Sequence, residues 1–192
     1  EGEWKDNVYN GRGTYLSTSG EKYVGMWSKG LKDGQGIIVN SNKDKYTGLW
    51  IEDRRNGDGI QEYSNGDVYE GEWKNNQKHG NGSMLYASGE KYIGNWEKGL
   101  KNGNGSQSYL NGDIYSGNWV NNQRYGKGKI NYINGDFYDG DWHNDKIQGA
   151  GIFQYVDGST YNGDWINGRK NGRGTFISSI DEKYIGEWKD NN

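Results

Sequence analysis

The sequence contains no cysteine and no proline, only two histidines, and no long uninterrupted run of apolar residues. Without cysteine the chain forms no disulfide framework and no cysteine-based metal site. Without a long apolar run it has no segment that is expected to span a membrane as a helix. Because proline is absent, every residue after the first has a backbone N–H for a hydrogen-bond ladder, as a β-sheet requires.

Charge and hydropathy exclude further classes. The formal net charge is −3, which argues against a nucleic-acid-binding protein, since such proteins usually carry a strong basic excess. Only 30% of the residues are hydrophobic and the mean hydropathy is −1.19, values that are also found in disordered chains. Aromatic residues nevertheless make up 15% of the chain. Their strict spacing, described next, predicts a folded protein.

The aromatic residues and glycines recur with a period of 23 residues. A tyrosine stands four residues before each tryptophan from Trp27 onward, and we number this tyrosine as position 1 of the repeat. All 34 glycines fall at repeat positions 3, 8, 12, 14 and 21. A fixed period of this length indicates a repeat array. The tryptophans are Trp4, Trp27, Trp50, Trp73, Trp96, Trp119, Trp142, Trp165 and Trp188.

Each repeat contains two strand patterns. The alternation in Tyr69–Trp73 predicts a strand over positions 1 to 6, with tyrosine, glycine and tryptophan on one face. A second strand is predicted over positions 13 to 18. The Asn65–Gly66 dipeptide between strands predicts a type I′ hairpin turn, and positions 7 to 12 predict a longer polar loop. Lys43 and Asp181 replace the turn glycine, which predicts another turn geometry there.

Two strands per repeat, joined alternately at opposite ends, predict an all-β fold. The expected architecture is an elongated, single-layer antiparallel meander of stacked 23-residue β-hairpin repeats, solenoid-like and twisted. The glycines at positions 3 and 14 are expected to let an aromatic ring lie flat across the backbone. We expect one array over residues 1–192, with a partial repeat 1–22, then 23–45, 46–68, 69–91, 92–114, 115–137, 138–160 and 161–183, and a partial repeat 184–192.

The pattern Y-x-G-x-W, followed by G-x-G seven residues after the tryptophan, resembles the MORN repeat (membrane occupation and recognition nexus). The segment Tyr69–Gly82, including His79, is nearly the family consensus, and the resemblance covers the whole chain. The family includes arrays that accompany lipid-kinase, methyltransferase and membrane-junction domains, and MORN-only scaffolds of protist and ciliary cytoskeletons. The chain is most similar to the MORN-only scaffolds, which implies a cytoplasmic location at the cytoskeleton or the membrane periphery.

The sequence offers no recognisable chemistry. It contains no phosphate-binding G-x-x-x-x-G-K-[ST] motif, and its glycines follow the repeat. His79 and His143 occupy different repeat positions three repeats apart, which argues against a metal pair. No set of nucleophile, base and orienting group is apparent. We therefore expect no enzymatic activity, no metal and no cofactor.

Charged residues also follow the repeat. Position 22, beside the hairpin turn, is acidic in most repeats, which ordinary turn chemistry explains. Position 10, in the expected long loop, is basic in most repeats. We expect a basic rim and an acidic rim on opposite edges of the sheet. The basic rim is a candidate for weak, salt-sensitive binding of anionic lipid or an acidic partner, and solubility and edge protection are the alternative. Its members are Lys32, Arg55, Lys78, Lys101, Arg124 and Lys170.

The chain begins and ends within a repeat and shows no polar capping repeat, which predicts a fragment of a longer array with open strand edges. Tyr184, Ile185 and Trp188 form an apolar surface on the last strand and are the candidate homodimer interface. The variable residues at positions 2, 4, 6, 15 and 17 suit an unidentified protein partner. The predicted function is a non-enzymatic, homodimeric scaffold that binds proteins and not nucleic acid. The alternatives are a phosphoinositide- or anionic-lipid-binding module, or an accessory targeting array of a larger enzyme.

Overall fold

The alternating aromatic and glycine positions form strands throughout the chain. The computed structural model describes residues 1–192 and contains seventeen β-strands and no helix. No segment is therefore a helix that is long and apolar enough to cross a membrane. The strands are β1 (Gly2–Lys5), β2 (Val8–Leu16), β3 (Lys22–Ser28), β4 (Leu31–Val39), β5 (Lys45–Ile51), β6 (Arg54–Glu62), β7 (Val68–Lys74), β8 (Gln77–Leu85), β9 (Lys91–Glu97), β10 (Leu100–Ser108), β11 (Ile114–Val120), β12 (Gln123–Asn131), β13 (Phe137–His143), β14 (Lys146–Gln154), β15 (Thr160–Ile166), β16 (Arg169–Ile177) and β17 (Lys183–Trp188).

The chain divides into two units, Glu1–Leu100 and Lys101–Asn192. In the first unit β1 to β9 pair consecutively and antiparallel. In the second unit β10 to β17 pair in the same way. The predicted all-β antiparallel meander of 23-residue repeats is confirmed.

The second strand of each repeat is longer than predicted. It begins directly after a two-residue turn, as in β8, and covers positions 9 to 17 instead of 13 to 18. In the β7–β8 pair Gly71 faces Gly82 and Trp73 faces Lys78, so that three residues of β8 face one residue of β7. Gly80, in the middle of these three, has a φ of +58°. The expected loop at positions 7 to 12 is therefore a tight turn followed by a bulged strand, because a bulge accommodates residues without breaking the pairing.

The type I′ turn lies at the opposite end of the hairpin from the one predicted. Asn75 and Asn76, at positions 7 and 8, have φ values of +49° and +68°, as a type I′ turn requires. In the Asn-Gly turn only Gly66 is left-handed, with a φ of +93°. The Gly66 N–H donates to the Tyr63 carbonyl at 2.9 Å, which gives a three-residue loop closed by a left-handed glycine.

The two turns that lack this glycine keep the same geometry. Lys43 has a φ of +75° and Asp181 a φ of +63°. The Lys43 N–H donates to the Asn40 carbonyl at 2.9 Å, and the Asp181 N–H to the Ser178 carbonyl at 3.0 Å, as at Gly66. The expectation of another geometry was wrong. A side chain in the left-handed region costs about 1–2 kcal/mol, which the hydrogen bonds of the turn offset.

The core is a row of aromatic rings on one face of the sheet. The position-1 tyrosines from Tyr23 to Tyr161 are at most 1% exposed. The position-5 tryptophans from Trp27 to Trp165 are also buried. Each tyrosine ring meets two tryptophan rings edge to face, a favourable arrangement for aromatic pairs. This row supplies the burial that the low hydrophobic content does not.

Candidate interaction surfaces

Each buried tyrosine is fixed by its own repeat and by the next one. The Tyr115 hydroxyl donates to the Asn118 carbonyl at 3.0 Å. The Tyr115 ring lies 5.2 Å from the ring centroids of Trp119 and Trp142. A Cβ added at Gly128 would lie 2.6 Å from Tyr115 Cε2, so the ring rests on bare backbone as expected. These residues are committed to packing.

The tyrosine hydroxyls are not acid–base groups near neutral pH. Burial raises the pKa of Tyr23, Tyr46 and Tyr161 to about 12. Burial also raises the pKa of Tyr138, and the nearby Asp141 carboxylate adds to this effect. Each phenol therefore stays protonated and donates its hydrogen bond, which is a structural role.

The tryptophan indoles join neighbouring repeats. Trp142 Nε1 donates to the Gly128 carbonyl at 2.8 Å, and Trp165 Nε1 donates to the Gly151 carbonyl at 3.1 Å. The same bond recurs from Trp73 in the first unit, at 3.2 Å to the Gly59 carbonyl. Tyrosine, glycine and tryptophan thus form one repeated bonding unit and leave few polar groups for a ligand.

The candidate anion-binding cations cover this ring row. All six lie in strands rather than in the predicted loop, and all are half-buried. The predicted loop location is wrong because the loop itself is replaced by strand. Whether the six bind anions stays a prediction. The cationic groups lie at these distances from tryptophan ring centroids: Lys32 4.9 Å from Trp50, Arg55 4.3 Å from Trp73, Lys78 4.4 Å from Trp96, Lys101 5.1 Å from Trp119, Arg124 4.3 Å from Trp142 and Lys170 4.9 Å from Trp188.

Two repeats fill the same position without a cation. Position 10 holds Tyr9 in the first repeat and Ile147 in the seventh. The Tyr9 ring lies 4.2 Å from the ring of Trp4 and 4.8 Å from that of Trp27. Position 10 therefore requires a side chain that covers rings. These two exceptions are the sequence signal that could have placed the basic residues over the core.

Several of the basic residues interact with other side chains of the chain, and Arg124 forms an ion pair with Asp145 at 3.0 Å. Burial lowers the pKa of Arg55, and its guanidinium donates to Gln61 Oε1 at 2.7 Å. Burial lowers the pKa of Lys78, while the charge of Asp67 acts in the opposite direction. Asp67 belongs to the acidic set at position 22, so the two sets interact. The basic side chains fold inward over the rings instead of extending outward as an exposed rim.

Carboxylate and amide side chains at the turns, at both ends of the strands, link each repeat to the next by hydrogen bonds. At the longer turn, Asp113 Oδ1 accepts a hydrogen bond from the Ile133 N–H at 3.0 Å. At the type I′ turn, Asp145 Oδ1 accepts from the Arg124 N–H at 3.0 Å. These bonds support the interpretation of the acidic residues as turn chemistry.

The opposite face of the sheet carries the residues that vary between repeats. In the first unit Val24 faces Ile37 across the β3–β4 pair, and Ile37 faces Thr47 across the β4–β5 pair. With Met26 these residues line a surface cavity of about 320 Å³. Val24, Met26 and Ile37 are 38–40% exposed. This apolar patch, which we call the sheet-face patch, lies at positions 2, 4 and 15 of the predicted variable face, but the sequence did not indicate which repeats would form a patch because β-branched residues are common in any strand.

The candidate dimer residues lie on β17. Tyr184 is 50% exposed and Ile185 is 69% exposed, whereas the equivalent Tyr161 is fully buried. Trp188 is half-buried, and its ring lies 5.1 Å from the ring of Tyr161. All three residues lie on one strand, but Ile185 projects to the face opposite that of Tyr184 and Trp188, so they do not form a single surface. The structure does not test dimerisation.

The histidines and carboxylates form no candidate metal centre. No group of three or more histidine, cysteine, aspartate or glutamate side chains is placed to hold a metal ion. His79 lies in β8, while His143 ends β13 with its ring 5.1 Å from the ring of Tyr125.

Comparisons with known proteins agree with this geometry. The sequence profile of the MORN repeat matches residues 1–22, 23–45, 46–68, 69–91, 92–114, 115–137, 138–160, 161–180 and 184–192. The sequence matches no curated protein.

Solved structures resemble the fold at low sequence identity. The Drosophila melanogaster SAS-4 (dCPAP) TCP domain, in complex with a Proline Rich Motif of Ana2 (dSTIL), has a TM-score of 0.52 at 13% identity, over 92% of this chain and 90% of that chain. The TCP10 domain of Danio rerio CPAP has a TM-score of 0.51 at 10% identity, over 92% of this chain and 84% of that chain. The CPAP G-box domain has a TM-score of 0.50 at 7% identity, over 93% of this chain and 100% of that chain.

Proposed function

The chain belongs to the MORN-repeat family, and from that premise we propose that it is a non-enzymatic scaffold that binds a protein partner along the variable face of its sheet. The observation that carries the proposal is that the two faces of the sheet carry different kinds of residues. One face is filled by rings, their cation cover and their hydrogen bonds. The other face carries side chains that differ from repeat to repeat, and these include the sheet-face patch. A surface whose residues differ from repeat to repeat can distinguish one partner segment from another.

An extended peptide is the partner that suits this surface. The sheet-face patch extends over three adjacent strands, β3 to β5, and presents exposed apolar side chains that an extended peptide can contact. A domain of similar fold, the SAS-4 TCP domain, is in complex with a Proline Rich Motif. That complex supports a peptide partner here. The similar folds are those of centriole proteins, which also supports an association with the cytoskeleton.

Peptide selection against the purified chain tests the proposal. We expect extended peptides to be recovered, and we expect a Val24→Lys, Ile37→Lys variant to lose them. A matched Ile152→Lys variant, which changes an exposed isoleucine in the second unit, should retain them. Recovery of the same peptides by all three proteins would refute the assignment of the patch.

We further propose that the scaffold forms a homodimer through β17. An open strand edge beside exposed Tyr184 and Ile185 is a template for strand pairing with a second copy, and two-fold pairs are the commonest homo-oligomers. Deletion of residues 181–192 should give a monomer in analytical ultracentrifugation. As a milder test, Ile185→Glu should weaken the dimer without shortening the chain. A dimer that survives both changes would place the interface elsewhere.

Binding of anionic lipid is less well supported by the geometry. The six basic residues are half-buried over rings, and removing them from that position would expose tryptophan. Flotation of the chain with phosphoinositide vesicles at low and high salt tests this alternative. Strong binding that is lost in a Lys32→Gln, Lys78→Gln variant would favour lipid over a protein partner.

A further inference from the structure

Three successive hairpin turns of the second unit carry exposed aliphatic residues, whereas the fourth has Ser179 at the same position. Leu110, Ile133 and Val156 occupy repeat position 19, the first residue of the three-residue turn, and are 73%, 73% and 69% exposed. Residues at such a turn are usually polar or glycine. The first unit has Ser41, Ser64 and Ala87 at this position. We call the row Leu110, Ile133 and Val156 the turn ridge.

The turn ridge is held in a fixed position. The Ile133 N–H donates to Asp113 Oδ1, and the Val156 N–H donates to Asp136 Oδ1 at 2.7 Å. The Ile133 side chain leans on the preceding turn, since a Cβ at Gly112 would lie 2.8 Å from Ile133 Cδ1. Consecutive members are separated by two strands, which is roughly 10 Å. The ridge is thus an ordered apolar row with a regular interval.

Acidic residues accompany the ridge. Asp113 and Asp136 each lie three residues after a ridge residue, and Asp157 directly follows Val156. Hydrogen bonds from Ser159 lower the pKa of Asp157, which keeps its carboxylate ionised. An apolar row with negative charges beside it disfavours an anionic membrane and favours a partner with apolar and basic side chains.

The backbone at this edge is already bonded. The Tyr132 N–H donates to the Asp136 carbonyl at 2.9 Å, and the Gly135 N–H donates to the Tyr132 carbonyl at 3.0 Å. These backbone groups are therefore not available for the ladder hydrogen bonds of an added strand. A helix satisfies its own backbone groups and can dock through side chains alone. Seven residues of helix rise about 10.5 Å, close to the interval of the ridge.

We infer that the turn ridge is a docking edge for a basic, amphipathic helix of a partner protein, with an apolar residue at every seventh position contacting Leu110, Ile133 and Val156. Lysine or arginine residues on either side of that row pair with Asp113 and Asp136. This recognition combines apolar anchors at heptad spacing with charge complementarity. The inference rests on the proposed scaffold function and adds a second binding surface to it.

A designed peptide tests the inference directly. The probe is a helical peptide of about 21 residues, with leucine at every seventh position and lysine beside each leucine. Fluorescence anisotropy measures its binding to the full chain. We expect a Leu110→Ser, Ile133→Ser, Val156→Ser variant to bind at least about tenfold more weakly. An Ile152→Ser variant is the matched control, since Ile152 is 41% exposed but lies in strand β14 rather than a turn, and it should bind as the unmodified chain does.

Two further arms separate the alternatives. Asp136→Asn keeps an acceptor for the Val156 N–H and should weaken binding and reduce its salt dependence. If the triple variant melts early, Ile133→Thr, which keeps the β-branched shape, replaces it. Equal binding by the triple variant, equal binding of a peptide with glutamate in place of lysine, or binding of anionic vesicles instead of the peptide would overturn the inference. Loss of ridge binding with sheet-face peptides retained would leave the proposed function intact.

Discussion

Replacement of Gly128 by alanine isolates the contact on which every repeat depends. Gly128 lies beneath the ring of Tyr115, and the three atoms nearest to an added Cβ all belong to that ring. The φ of Gly128 is not in the left-handed region, so alanine introduces no backbone strain of that kind. The whole effect of Gly128→Ala should therefore come from displacement of Tyr115.

The magnitude follows from what the ring loses. Tyr115 is fully buried, and a ring of this size buries about 200 Å², worth about 5 kcal/mol at 25 cal/mol/Å². Displacement also breaks the hydrogen bond from its hydroxyl to the Asn118 carbonyl, worth about 1 kcal/mol. Because the ring is only partly expelled, we expect Gly128→Ala to lower the free energy of unfolding by about 3–5 kcal/mol.

Urea unfolding, with hydrogen exchange to locate the change, measures this effect. Gly158→Ala is the control, since no atom lies within 4 Å of an added Cβ there and only its φ of +91° opposes alanine. That variant should lose about 1 kcal/mol. In a Tyr115→Ala background Gly128→Ala should be nearly neutral, so the coupling energy should be about 3–5 kcal/mol. A loss of stability by Gly128→Ala that persists without the ring would refute this reasoning.

Other changes test the remaining bonds. The free energy of unfolding should fall between pH 10 and about pH 12, because Tyr23, Tyr46 and Tyr161 keep their protons in the folded chain at pH values where the unfolded chain has lost them. Melting curves followed with tyrosinate absorbance measure this fall. Constant stability over that pH range would contradict the prediction. Lys78→Met keeps an apolar chain over the Trp96 ring and should change the free energy of unfolding by less than about 1 kcal/mol, whereas Lys78→Ser should lower it by more. Equal melting temperatures of the two variants would show that the cover is unimportant. Asp136→Ala removes the acceptor of the Val156 N–H and should cost about 1–2 kcal/mol in urea unfolding, against no change for Asp139→Ala, whose side chain makes no such bond.

The strands and the core could be predicted because both follow from the alternation of residue types along the local sequence. The tyrosine, glycine and tryptophan of Tyr69–Trp73 share a face by the two-residue period of a strand, and they form the ring row. The family could also be predicted, since the same residues carry its consensus. Nothing in this part depends on contacts between distant segments.

The turns and the position of the cations were harder to predict. An Asn-Gly pair suits a type I′ turn, but it also suits a three-residue loop in which glycine alone is left-handed, as at Gly66. The sequence predicts that the glycine at position 12 lies in a loop, whereas in the structure it lies in a bulge, as Gly80 does. The cover of Trp73 by Arg55 is a contact between repeats, which the local sequence does not encode. For these features tertiary packing decides the outcome.

The bonds that fasten each repeat to the next have a consequence for how such a gene can change. Removal of residues 138–160 would bring Tyr161 directly after Phe137, where Tyr138 now stands, and would offer Asp136 an equivalent N–H in the following turn. Recombination that adds or removes whole periods therefore joins compatible surfaces, and the chain can lengthen or shorten in a single genetic event. A deletion within the array whose length is not a multiple of 23 residues would place a side chain where a ring needs glycine.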